Sequence, residues 1–292
     1  MKKRKRYFIF FFTFLFSILF STSLFFYSKK NNTFKTKTKY INFRNVDIGL
    51  SGRIKTIEIN NKINDSNLHA FIMHAGGADS SDYIEIVKDL KLKSATIIDH
   101  NNLDPYENLF IIKLKRLINL IVKLYPFHDS FNNPELVEGS SLFWDMHEYY
   151  LKKSVENYFN TNTNSRGNNF IFIGHSHGSS LFAEDYIRNY TNNEVYIVYI
   201  APCFNPKEKS KKLKSSVLII SGDKDQDGCA TKTYNLDLIK SDYEFKSIKG
   251  MSHFSFLPSR EPDMQHLYYY DYKSADKIKV VDAINKLIND NH

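Results

Sequence analysis

The chain has 292 residues, enough for one sizeable α/β domain or two small ones, and its 42% hydrophobic content is ordinary for a globular protein. Its formal charge of +8 excludes little by itself, because residues 1–40 hold ten of the 40 Lys and Arg and none of the 32 Asp and Glu. The other 252 residues therefore sum to −2, and a nucleic-acid binder would need its basic face on that folded body.

Residues 7–28, YFIFFFTFLFSILFSTSLFFYS, carry no charge, follow Lys2–Arg6 and match the roughly 20 helical residues that cross a bilayer core. A basic start and an apolar run are shared by a cleaved signal peptide and an uncleaved signal anchor. Length and the lack of an A-x-A-like site favour the anchor. The denser basic cluster at the N-terminus places that end inside and the body outside. Residues 29–40 are polar and read as a basic linker, so the expected domain is 41–292. Three N-x-S/T sequons begin at Asn31, Asn64 and Asn189.

YINFRNVDIG and RIKTIEIN flank a Gly-bearing turn at Leu50–Gly52 and predict a β-hairpin. Short continuous apolar runs then recur at 68–74, 94–99, 169–174, 194–202 and 216–222, as strands buried on both faces should read. YEFKSIKG (243–250) is a weaker strand candidate. Helical patterns start at SSDYIEIVKDL, at HGSSLFAEDYIRNY and at ADKIKVVDAINKLIND, the last with Ile278, Val281, Ala283, Ile284, Leu287 and Ile288 on one side. Strands alternating with helices predict an α/β fold with a mostly parallel sheet covered on both faces. The long interval 100–168 holds two helical patterns, 107–125 and 143–159, where one would suffice, so part of it reads as an insertion. The first is apolar enough for a core helix or for a lid that touches lipid.

GHSHGSS (174–180) follows the run NNFIFI and spells two chemistries. His175 and His177 form an H-x-H pair, but no Asp-His pair or later cluster supplies the further ligands of a metal hydrolase. Ser176 sits in G-x-S-x-G between a strand and a helical pattern, where Gly174 and Gly178 let backbones pack closely around a nucleophile. A serine needs a base, and the base needs an orienting carboxylate. SGDKDQDG puts Asp223, Asp225 and Asp227 at a strand end, and KGMSHF puts His253 beyond the last strand candidate. Asp223 and Asp227 read as turn formers, and His74 as a residue that positions its loop.

With Ser, Asp and His in that order at three strand ends, residues 41–292 resemble the α/β-hydrolase family. The resemblance implies an α/β-hydrolase fold, with Ser176 as nucleophile, Asp225 (three residues after Gly222) as the acid and His253 as the base. It also implies an oxyanion hole of backbone amides. These are His177 and a residue of HAGGADS, Gly76 first and Ala75 second, with Ala75 standing where the family commonly has Gly. The two strands before Cys203 and Cys229 would be neighbours, so these cysteines can either close a disulfide outside the cytoplasm or remain thiols. The short 203–215 connection leaves no cap there.

The expectation is a membrane-tethered serine esterase or thioesterase, secreted if residues 7–28 are cleaved. It takes a small-molecule or lipid-like acyl substrate, with no cofactor, metal or nucleic acid. A peptidase or acyltransferase on the same fold, or a non-enzymatic binding domain, is the alternative.

Overall fold

A computed structural model describes residues 34–45, 50–61, 66–75, 78–99, 140–163, 167–204, 209–225, 233–258 and 272–290. Eight strands form one sheet in the order β1-β2-β4-β3-β5-β6-β7-β8. They are β1 (Phe34–Asn45), β2 (Leu50–Asn61), β3 (Leu68–Met73), β4 (Ser94–Asp99), β5 (Asn169–His175), β6 (Val195–Ile200), β7 (Ser216–Gly222) and β8 (Glu244–Ile248). β1 pairs antiparallel with β2, and β2 antiparallel with β4; every pair from β4 to β8 is parallel.

The apolar runs became strands because both their faces are covered. Alternate residues go to opposite sides. Ile72, Ile173, Val198 and Ile220 enter one core cluster, while Phe71, Phe172, Ile197 and Ile219 enter the other. The first cluster is closed by α1 (Ile84–Val87), which continues a 3-10 turn at Ser80–Tyr83, and by α4 (Ser274–Asp290). The second is closed by α2 (Ser140–Thr161), through Tyr150, Leu151, Val155 and Phe159, and by α3 (Ala183–Arg188).

Four expectations shift. Leu50–Gly52 is not the hairpin turn but the start of β2, paired with Asn45, Arg44 and Phe43. Residues 34–40 are not linker: Phe34 to Tyr40 pair in register with Asn61 to Lys55. Their alternation of Thr and Lys hides a strand because this edge has little core to cover. α4 buries Val280, Val281, Ile284, Leu287 and Ile288, whereas Ile278 is 58% exposed. The helix after Ser176 starts later than its pattern implies. Ser176–Gly178 is a single 3-10 turn, Ser179 is extended (φ −77°, ψ 131°), and α3 begins at Ala183. The Ser180 hydroxyl accepts the Phe182 amide (3.1 Å), a local bond that competes with helix propagation.

Among the described residues no helix is long and apolar enough to cross a membrane. Residues 7–28, the helical pattern at 107–125 and Asp227 lie outside them.

Candidate active site

Parallel strands deliver their C-terminal ends to one side of the sheet, and the serine turn grows from the end of β5. Ser176 has φ 53°, in the left-handed region that a side chain enters at a cost of about 1–3 kcal/mol. Its carbonyl accepts the amides of Ser179 (3.0 Å) and Cys203 (3.1 Å), which hold the strained residue in place. The flanking glycines are required by contact. A Cβ on Gly178 would lie 2.5 Å from the Met73 carbonyl oxygen and 2.6 Å from that of His74, and one on Gly174 would lie 2.8 Å from the Gly178 oxygen.

The acid and base turns lock together at the ends of β7 and β8. A Cβ on Gly222 would fall 2.0 Å from the Met251 oxygen. The Lys224 amide donates to Met251 (3.1 Å), and the Asp223 carboxylate accepts the Gly250 amide (2.5 Å). Asp223 is thus a turn former, and Gly250, at φ 83°, turns the chain towards His253. His253 Nδ1 lies 3.0 and 3.1 Å from the two Asp225 oxygens, with both side chains buried. A carboxylate only accepts, so Nδ1 carries the proton of this pair.

The Ser176 hydroxyl lies 3.3 Å from Nδ1 of His177. Burial, and then the neighbouring His253, pull the His177 imidazole down to about pKa 4, so it is neutral near pH 7. His175 faces elsewhere: Nδ1 meets the Tyr83 hydroxyl (2.6 Å) and Nε2 the His253 carbonyl oxygen (3.1 Å). The H-x-H pair therefore splits between two sets of partners and does not converge on one point.

The Ala75 amide donates to the Tyr83 hydroxyl (3.0 Å), so Ala75 is spoken for as a donor. Gly76, the first choice, lies outside the described residues. His177 follows the serine within the 3-10 turn. His74 is buried, with Nδ1 2.8 Å from the Ala75 oxygen and Nε2 3.4 Å from Asp99. Asp99 also accepts from Lys55 (3.0 Å) and Ser80 (2.8 Å), so a charged cluster anchors the root of the loop.

Two residues of this neighbourhood escaped sequence reasoning. His147, from α2, is buried and held near pKa 3 by burial and by the nearby His177 and His74. Tyr83 comes from the turn after β3. Nothing in a helical or strand period marks a residue whose partner is 92 positions away. Cys203 is disulfide-bonded; Cys229, the other cysteine of the sequence, lies outside the described residues.

Strand order, serine turn and the two following loops define the fold of the α/β-hydrolases. The chain is similar to the peroxisomal α/β-hydrolase Lpx1 of Saccharomyces cerevisiae (TM-score 0.51, 12% identity, covering 89% of this chain and 90% of that one). It is also similar to carboxyl esterase 2 of Tuber melanosporum (TM-score 0.48, 12% identity, 86% and 87%). A third similar structure is the esterase of Pyrobaculum calidifontis (TM-score 0.48, 10% identity, 92% and 92%). No family model and no curated protein matches the sequence.

Proposed function

We propose that the protein is a membrane-tethered serine hydrolase that cleaves a carboxylic ester or thioester through an acyl-enzyme. The observation that carries this reading is the buried His253–Asp225 pair beside a serine held at positive φ. The 4.9 Å between the His253 and His175 rings supports a base next to the serine turn.

In the proposed cycle Ser176 Oγ turns from His177 towards His253 Nε2 and attacks the substrate carbonyl carbon, giving its proton to Nε2. Asp225 holds the Nδ1 tautomer and stabilises the imidazolium. The amides of His177 and Gly76 receive the oxyanion. Collapse breaks the bond to the alcohol or thiol, which leaves with the proton from Nε2. Water, deprotonated by His253, then attacks the acyl carbon and frees Ser176 and the acid. No step calls on a metal or a cofactor.

In this reading residues 7–28 anchor the chain with its domain outside the cytoplasm, or are cleaved to release it. The disulfide at Cys203 supports an oxidising compartment. The test is labelling by a serine-directed fluorophosphonate. Wild type should label and Ser176→Ala should not; an unlabelled wild type, or equal labelling of the two, overturns the reading. A panel of chromogenic esters of increasing acyl length then assigns the acyl group.

A further inference from the structure

A chain of buried hydrogen bonds links the oxyanion loop to the base turn, and the acyl-transfer steps use none of them. The Ala75 amide donates to Tyr83 Oη (3.0 Å), Tyr83 Oη lies 2.6 Å from His175 Nδ1, and His175 Nε2 lies 3.1 Å from the His253 carbonyl oxygen. The two ends and a neutral ring between them fix every direction. A carbonyl only accepts, so His175 Nε2 carries a hydrogen. An amide only donates, so Tyr83 Oη accepts from Ala75; on a neutral ring whose hydrogen is on Nε2, Nδ1 is an acceptor and receives the Tyr83 hydrogen. One neutral tautomer of His175 satisfies all these bonds. Burial, followed by the nearness of His253, holds this imidazole well below its ordinary pKa, so the neutral ring is the form present.

We propose that Tyr83 and His175 are positioning residues that fix the oxyanion loop and the His253 turn at one separation, so that the donors and the base act as a single body. The proposal rests on the serine-hydrolase reading above. It differs from a packing role in what it predicts. Removing either member should disturb the reaction geometry while leaving substrate affinity nearly intact, and removing the second should add little.

The test uses the full-length chain with Tyr83→Phe, His175→Phe, their combination and His175→Gln, with Ser176→Ala as blank. The fluorophosphonate labelling rate and kcat should fall in each Phe variant, by up to about a hundredfold as expected for an ångström-scale misplacement. KM should stay within about threefold of wild type. The double variant should be no worse than the poorer single one, the mark of two residues acting through one connection. His175→Gln, whose amide nitrogen reaches the Nε2 position, should recover part of the loss.

Single variants that label at the wild-type rate, or losses that multiply in the double variant, overturn the proposal and leave the serine chemistry standing. An unlabelled wild type, or labelling of Ser176→Ala, removes both. Should the variants fail to fold, the imidazole nitrogen NMR spectrum of the wild type decides. The Nε2–H tautomer at His175 is expected, and an Nδ1–H tautomer overturns the proposal.

Discussion

Ser176 illustrates how much of this site rests on single atoms. Its backbone is strained, and that strain is tolerated because Gly178 lets the serine turn approach β3. Gly178→Ala should drive a methyl group into two carbonyl oxygens that belong to buried backbone and cannot retreat. We expect a loss of about 1–3 kcal/mol of stability, read as a lower urea midpoint, and labelling at Ser176 slowed further than the stability change explains. Wild-type behaviour of this variant would mean that the turn does not need the close approach. Ser176, Asp225 and His253 stood out as candidates by residue type and by their place at strand ends, and the fold brings Asp225 and His253 into contact and sets Ser176 on a strained turn. The engagement of the Ala75 amide was not legible in the sequence, since it depends on a tyrosine hydroxyl that only the folded chain brings within reach.

Among the elements, α4 acts on the site from behind. Its Asp276 is buried and accepts the Ser255 hydroxyl (2.7 Å), which itself receives the Ser252 amide (3.1 Å). The turn that carries His253 is thereby tied to the helix. Asp276→Ala should remove the shorter of the two bonds the Ser255 hydroxyl makes, leaving it the Ser252 carbonyl oxygen at 3.3 Å, and cost about 1–3 kcal/mol. For a chain of this size that corresponds to about 2–4 °C in Tm for each kcal/mol, measured by thermal unfolding. An unchanged Tm would show that the turn is held by its backbone alone. Legibility among the elements followed burial. β3, β5, β6 and β7 read as strands because both faces are apolar. The first half of β1, residues 34–40 of alternating Thr and Lys, read as linker because pairing on one side gives it hydrogen bonds without a hydrophobic pattern. The late start of α3 was hidden because a side chain bonding its local backbone leaves the helical period untouched.

Across the molecule, His69, His147, His175 and His177 all have their pKa lowered, in each case chiefly by burial. Unfolded, they would protonate near the ordinary value of 6.5; folded, His69 and His147 hold off until about 3 and His177 until about 4. The unfolded chain therefore binds more protons below pH 6.5. The stability they preserve is fully present above that pH and is lost as pH falls towards the folded values. Each contributes a slope of at most about 1.4 kcal/mol per pH unit. Urea midpoints should drop steadily between pH 7 and pH 5. His69 bonds Ser94 and Thr96 at the opposite end of β3 from Ser176, so His69→Gln should flatten the curve by one proton's worth with the site untouched. A flat wild-type profile over this range would mean that the imidazoles do not stay neutral in the fold.

The disulfide at Cys203 bears on how the protein has to be made. The amide of that same residue supports the Ser176 carbonyl, so the cross-link is one bond removed from the backbone of the proposed nucleophile. A polypeptide produced in a thiol-rich host cytosol would reach the purification column without it. Recombinant material from such a source should label more slowly than material matured in an oxidising secretory route, and oxidative refolding should close the gap. Batch-to-batch scatter in specific activity would then trace to redox history before it traces to the substrate.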